Sequence, residues 1–288
     1  MGDAVMCLPA LRAIRDRFPQ AKISILAKSS VSDLYTHESF TDDLIIYNSN
    51  SYFRVGSDLR RRQFDCAILL QNAFEAAWIA WLARIPTRIG YNTDLRGLLL
   101  TRAIKVPKPG EIPRHQRFYY VELLRRAGVI DHLPTCDGIR LTRSATRTRT
   151  IGVSPGAAFG NAKRWLPERF AEAASQLANA RGASIALFGS AAERALCDRV
   201  AQLIHGPQVT NYAGQTTLAQ FIERAAQCEL FLTNDSGAMH IASALGVPIV
   251  AIFGATDHIA TGPTGSNSRV VREPVECSPC LLRECPID

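Results

Sequence analysis

Val5, Leu8, Leu11, Ile14 and Phe18 recur at three- and four-residue spacing, which predicts an amphipathic helix that Pro19 ends. Lys22 to Ala27 alternates polar and apolar residues and reads as a strand. Leu44 to Tyr47 and Cys66 to Leu70 are short continuous apolar runs, the pattern of strands covered on both faces. Helical spacing returns over Ala73 to Ala83 and over Gln116 to Ala127. A second series begins with a strand at Ile151 to Ser154, a helix at Pro167 to Ala180 and a strand at Ser184 to Phe188. Helices at Ala192 to Ile204 and Leu218 to Ala226 continue it. Strands alternating with helices predict parallel sheets layered between helices, an α/β fold. Between the two series, Pro134 to Thr150 has little periodicity and carries Arg140, Arg143, Arg147 and Arg149. It reads as a linker, giving domains over 1–140 and 150–288, with a ligand cleft expected between the two halves.

Composition narrows the partners. The chain has 288 residues, 47% of them hydrophobic, enough for two cores. Its net charge of +7 suits anionic small molecules or an anionic lipid surface. No dense Lys/Arg block interleaved with aromatics points to nucleic acid. No apolar run is long enough to span a bilayer, and the N-terminus lacks the layout of a signal peptide. Five of the eight cysteines (Cys7, Cys66, Cys136, Cys197, Cys228) are scattered through regular elements. That usage suits a reducing compartment, so a cytoplasmic location is expected.

Four constellations carry chemistry. Leu230 to Gly265 reads as a buried strand, an Asn-Asp-Ser-Gly turn, a short helix, a second buried strand and a polar loop. Asp235 or Ser236 can cap the helix, and Gly237 lets the backbone approach a ligand closely. Free amides and the helix dipole then face the carboxyl end of the sheet, where open α/β sheets bind a diphosphate. An ordinary, well-capped strand–turn–helix would have the same pattern. Ser154-Pro155-Gly156-Ala157 followed by Lys163-Arg164-Trp165 is a phosphate-site layout, though not the P-loop spacing, and a basic surface loop would look alike. Glu193, after the strand ending at Phe188, can take a ribose diol or simply favour its helix N-terminus. Asp3 can act as a general base or as a cap. Cys277, Cys280 and Cys285 supply three thiols without a clear fourth ligand (His258 is conceivable), and read as a local thiol cluster rather than a metal site. No Gly-x-Gly-x-x-Gly follows a strand, which argues against a nicotinamide-dependent oxidoreductase.

In this order the constellations resemble glycosyltransferase family 9, the ADP-heptose:lipopolysaccharide heptosyltransferases, over essentially the whole chain. The most specific stretches are Gly2-Asp3-Ala4-Val5-Met6 with Leu8-Pro9-Ala10-Leu11, Pro155-Gly156-Ala157 through Lys163-Arg164-Trp165-Leu166-Pro167, and Thr233-Asn234-Asp235-Ser236-Gly237-Ala238-Met239-His240. Arg88-Ile89-Gly90-Tyr91, Asp94-Leu95-Arg96-Gly97 and the tail from Cys277 to Pro286 look most like the heptosyltransferase II branch.

The resemblance implies the GT-B architecture, two Rossmann-like domains facing a cleft, the N-terminal one for acceptor and the C-terminal one for the nucleotide sugar. It implies inverting transfer of heptose from ADP-heptose to the heptosyl-Kdo-lipid A core, with no metal and no cofactor. Asp3 matches the general base and Lys163 the cation on the departing diphosphate. Ser154, Gly156, Ala157, Glu193, Asp235, Ser236, Gly237 and His240 match the donor site. The acceptor is strongly anionic, so Arg60, Arg61, Arg62, Arg96, Arg102, Arg114 and Arg117 become possible contacts, Arg60, Arg96 and Arg117 foremost. Any one of them alone reads first as an ordinary solvated side chain. As a group they suit peripheral docking on the cytoplasmic face of the inner membrane. The resemblance also implies a first strand ahead of Gly2-Asp3 and a final helix after the Cys-Pro motif. With the sequence opening at Met1, a gap is expected in the N-terminal sheet. A nucleotide-sugar epimerase of the same fold, transfer to another acceptor, and a donor-binding module without turnover are the rival readings.

Overall fold

The computed structural model describes residues 1–48, 51–134, 138–143 and 145–287. Cys136 and the C-terminal Asp288 lie outside them, as do parts of the expected linker. The chain forms two compact units. One comprises Met6–Thr135; the other joins Met1–Val5 to Cys136–Asp288.

The Met6–Thr135 unit contains strands β1 (Ser24–Lys28), β2 (Asp43–Tyr47), β3 (Cys66–Leu69), β4 (Thr87–Tyr91) and β5 (Arg102–Ile104). All pairings are parallel, but they form two separate sheets, β1-β2 and β3-β4-β5. Both sheets contribute to one apolar cluster. Tyr47 of β2 packs with Leu59, Ile79, Ala80 and Ile85, joined by Leu26 of β1 and Ala67 and Leu69 of β3. No ladder joins β1 to β3, and neither is buried as an inner strand would be: Ser24 to Leu26 and Ala67 to Leu69 are only half-buried, and Cys66 is exposed. On this unit the Leu8–Arg17 helix packs beside Arg117–Arg126, and Tyr52–Arg61 beside Phe74–Leu82.

The other unit is built on six parallel strands: β6 (Thr148–Ser154), β7 (Ser184–Leu187), β8 (Val209–Asn211), β9 (Cys228–Asn234), β10 (Ile249–Ile252) and β11 (Ser268–Val271). Their order is β11-β10-β9-β6-β7-β8. Counted within the unit this is the doubly wound order 3-2-1-4-5-6, which reverses between β6 and β9. Alternate residues serve opposite faces. Ile151, Val153, Ile185, Leu187, Leu230 and Leu232 pack with Phe170 and Ala174. Ala186, Phe231 and Ala251 pack with Phe188, Met239 and Phe253. Gly152 admits the Phe231 ring, which would stand 2.6 Å or less from a Cβ there.

Local signals account for the helices. Pro167 opens Pro167–Arg181, and Gly182, at φ 60°, closes it in the left-handed conformation. A capping box between Thr217 and Gln220 starts Leu218–Gln227. The expected linker proves shorter at its far end, because β6 already begins at Thr148, where Thr148 and Thr150 pair with neighbouring strands. Periodicity did not predict the Tyr52–Arg61 helix, nor strands β4, β5, β8 and β11.

Candidate active site

In an open α/β sheet the crevice at the reversal of strand order, beyond the strand carboxyl ends, is the natural ligand position. Here that point lies between Ser154, the last residue of β6, and Asn234, the last residue of β9. Ser236 is the N-cap of the Gly237–Ala244 helix, its Oγ accepting from the Met239 N–H at 3.4 Å. Asp235 is released from capping and turns elsewhere. Its Oδ2 accepts from Lys163 Nζ at 2.5 Å and from Thr256 Oγ1 at 2.6 Å. The Asp235 side chain is 4% exposed and that of Lys163 14%, so the ion pair sits largely out of water. Lys163 also lies 4.8 Å from the centre of the Phe159 ring. The result is a nearly dry ion pair beside a helix N-terminus, in which Asp235 balances the Lys163 charge and holds the ammonium in place.

Asn234 fixes this arrangement. Fully buried, it accepts from the Trp165 N–H through Oδ1 at 3.1 Å and donates through Nδ2 to the Pro155 carbonyl at 2.7 Å. One side chain thus ties the end of β9 to both loops that follow β6. Glu193 accepts from the Ser190 N–H and Oγ, each at 2.8 Å, in a capping box. Its carboxylate also lies over Gly156, where any Cβ would collide with it. Ser154, Ala157 and His240 are buried nearby in sequence: Ser154 ends β6, Ala157 receives Arg164 on its carbonyl, and His240 lies one turn into the Gly237–Ala244 helix. The Met1 side chain rests against Gly237, 3.1 Å from where a Cβ would stand. Asp3 is exposed, in the first turn of the Gly2–Met6 helix that follows.

Residues 52–288 match the model of glycosyltransferase family 9 (heptosyltransferase). The chain belongs to this family. It is 31% identical to lipopolysaccharide heptosyltransferase 2 of Salmonella typhimurium, over 94% of this chain and 85% of that protein. It is 29% identical to lipooligosaccharide heptosyltransferase 2 of Campylobacter jejuni, over 100% of this chain and 89% of that one. Among solved structures it resembles the ADP-heptose LPS heptosyltransferase II of E. coli, with a TM-score of 0.83 and 28% identity, over 96% of this chain and 92% of that one. As a family 9 member the protein is a glycosyltransferase, and its α/β fold is of the GT-B class.

The family 9 tail has a visible structural task. Arg283 O accepts from the Ala162 N–H at 3.2 Å, and Asn161 Oδ1 accepts from the Cys285 N–H at 3.1 Å. Gly160, at φ 154°, sits so close to the Arg283 backbone that no side chain fits. The Arg283 guanidinium lies 5.6 Å from the Phe159 ring that also faces Lys163. The tail therefore braces the loop bearing Lys163. Among the described residues, no group of three or more His, Cys, Asp or Glu is placed to hold a metal, and Cys277, Cys280 and Cys285 with His258 make none.

The arginines divide. Arg96, expected among the acceptor contacts, is fully buried and donates to the carbonyls of Tyr91 and Gln71 and to Asn72 Oδ1. It knits β4 to the loop after β3, which leaves no donor face for a ligand. Arg61 and Arg62 pair with Asp58 and Asp43. Arg60, Arg102 and Arg114 are exposed. Arg117 is half-buried against the Phe118 ring, with its Nε buried and without a hydrogen-bond partner. Asn234, Thr256 and Phe159 were not singled out as site residues from sequence. Asn234 and Thr256 stand at or just after strand ends of the quoted motif, which was the available signal.

Proposed function

We propose that the protein transfers heptose from ADP-heptose to the heptosyl-Kdo-lipid A inner core of lipopolysaccharide, with inversion at the anomeric carbon and without a metal. The observation that carries this reading is the Lys163–Asp235 pair, 2.5 Å long and largely out of water, at the reversal point of the sheet. When the sugar–phosphate bond breaks, negative charge grows on the ADP diphosphate. A preorganised ammonium and the free amides of the Gly237–Ala244 helix stabilise that charge without reorganisation. Asp235, which holds Lys163, orients it and meets the sugar. Asp3 takes the proton of the attacking acceptor hydroxyl, and Glu193, beside Gly156, contacts the ribose. The names of the relatives, lipopolysaccharide and lipooligosaccharide heptosyltransferase 2, support the sugar and the acceptor class. Residues 150–288 serve the donor and 1–140 the acceptor. The protein works in the cytoplasm, docked peripherally on the inner membrane; among the described residues no helix is long and apolar enough to cross it.

A second reading, donor binding without transfer, is favoured by the division of the β1–β5 strands into two sheets. ADP release with mass-spectrometric product detection tests both, using ADP-heptose and a monoheptosylated Kdo-lipid A. Acceptor-dependent ADP with a mass gain of one heptose supports transfer. ADP-heptose binding without turnover supports the second reading, and donor consumption without acceptor points to an epimerase.

A further inference from the structure

The Phe74–Leu82 helix carries Phe74, Trp78 and Trp81 on one face, at helical spacing. Phe74 stacks on Trp78 with centroids 6.2 Å apart, Trp78 stacks on Trp81 at 5.1 Å, and Phe53 of the Tyr52–Arg61 helix meets Trp78 edge-on at 6.4 Å. This ladder is not core. Phe53 is 71% exposed, and Phe74 and Trp81 are each 45% exposed. Core packing falls to Ile79 and Ala80 on the other side of the same helix, and to Ala77 along the edge of the ladder. Gly56, midway along its helix, lies against Leu82 at the end of the other, so the two helices pack side by side. Arg54 follows Phe53, Arg60 lies in the last turn of its helix, and Arg84 comes three residues after Trp81. All three arginines are exposed and form no ion pair among the described residues. The acids of these helices are already engaged: Asp58 by Arg61, and Glu75 by Lys28 and Tyr52.

Three exposed rings stacked around a half-buried Trp78, with exposed arginines close to them in sequence that form no ion pair among the described residues, make a surface that is both apolar and positive. Aromatic rings partition to the headgroup level of a bilayer, and unpaired arginines are drawn to anionic headgroups. We propose that Phe53, Phe74, Trp78 and Trp81, with Arg54, Arg60 and Arg84, form the face by which this protein seats on an anionic phospholipid bilayer. The proposal rests on the peripheral membrane reading above and gives it a surface.

Vesicle sedimentation with the full chain tests it, reading lipid binding rather than turnover. Vesicles of phosphatidylethanolamine with phosphatidylglycerol should bind the protein, and phosphatidylcholine vesicles should not. Arg54→Gln/Arg84→Gln should weaken binding roughly thirtyfold, from about one headgroup attraction per arginine removed. Phe53→Ser/Phe74→Ser should abolish binding while leaving transfer to a water-soluble, deacylated acceptor unchanged. Lipids brominated in their acyl chains should quench tryptophan emission, and Trp78→Phe/Trp81→Phe should remove that quenching. Unchanged binding of the Phe53→Ser/Phe74→Ser variant, or quenching that persists through Trp165, overturns the proposal. So does a concentration-dependent dimer that the same serines dissolve, since a second copy would then cover this face. Failure of transfer with vesicle binding intact would instead strike the functional reading alone.

Discussion

Replacing Lys163 with methionine keeps the length of the side chain and removes its charge. The Asp235 carboxylate, 4% exposed, then keeps only the Thr256 hydroxyl as a described hydrogen-bond partner. Orphaning one member of a buried ion pair costs about 3–5 kcal/mol. In a domain of this size each kcal/mol lowers the melting temperature by roughly 2–4 °C, so the variant should melt roughly 6–20 °C lower. Lys163→Met/Asp235→Asn removes the stranded charge and should recover most of that loss, although both variants should be inactive in transfer. Urea unfolding followed by Trp165 emission, in a Trp78→Phe/Trp81→Phe background, isolates the unit concerned, because the chain has three tryptophans. A loss below about 1 kcal/mol, the ceiling for an exposed pair, would refute the reasoning. So would a double variant no more stable than Lys163→Met.

Asn234→Ala leaves the Trp165 N–H and the Pro155 carbonyl without their partner, at about 1–3 kcal/mol each, and loosens both loops after β6. Steady-state kinetics should show the KM for ADP-heptose rising more than the KM for acceptor. Burial pushes the Cys197 and Cys228 thiols up to about 12, so iodoacetamide at mild alkaline pH should label Cys277 first and spare those two in the native state, as peptide mass mapping can read. The Glu122 carboxyl is held below its ordinary range by hydrogen bonds from Arg125, and by Arg126, against the opposing effect of burial. A depressed folded-state value contributes stability that is complete above the unfolded value of about 4.3 and is lost as pH falls through the folded one. Acid unfolding curves should therefore be less steep below about pH 4.3 for Glu122→Gln than for the wild type.

The α/β class was legible because period-two and period-3.6 patterns alternate cleanly and because Pro167 and Gly182 punctuate their helix. β4 was hidden because Thr-Arg-Ile-Gly-Tyr mixes a polar pair into its run; the arginine, Arg88, instead donates to the Leu99 and Ile85 carbonyls. The Tyr52–Arg61 helix was hidden by its run of polar residues around Gly56, which is there because Leu82 packs against it. Within the site, the turn containing Asp235 and Ser236 could be found, but not which of them caps. That choice depends on Lys163, 72 positions away in sequence. Arg96 shows the opposite failure. Arginine is a usual anion ligand, and only tertiary packing reveals that this one is committed to backbone carbonyls. Asn234 is visible in sequence only as part of its turn motif; its tie between Trp165 and Pro155 depends on partners remote along the chain.

The two-piece arrangement of β1–β5 has a consequence for how the molecule comes apart. β6 and β9 are each laddered on both sides, so their amides open only when the whole six-stranded sheet does. β1 and β3 are each laddered on one side only, and side-chain packing alone spans the space between them. Deuterium should therefore enter the Met6–Thr135 unit well before β6 and β9. A protease acting on the native protein should cut first around β1 and β3, leaving the six-stranded unit as the surviving fragment.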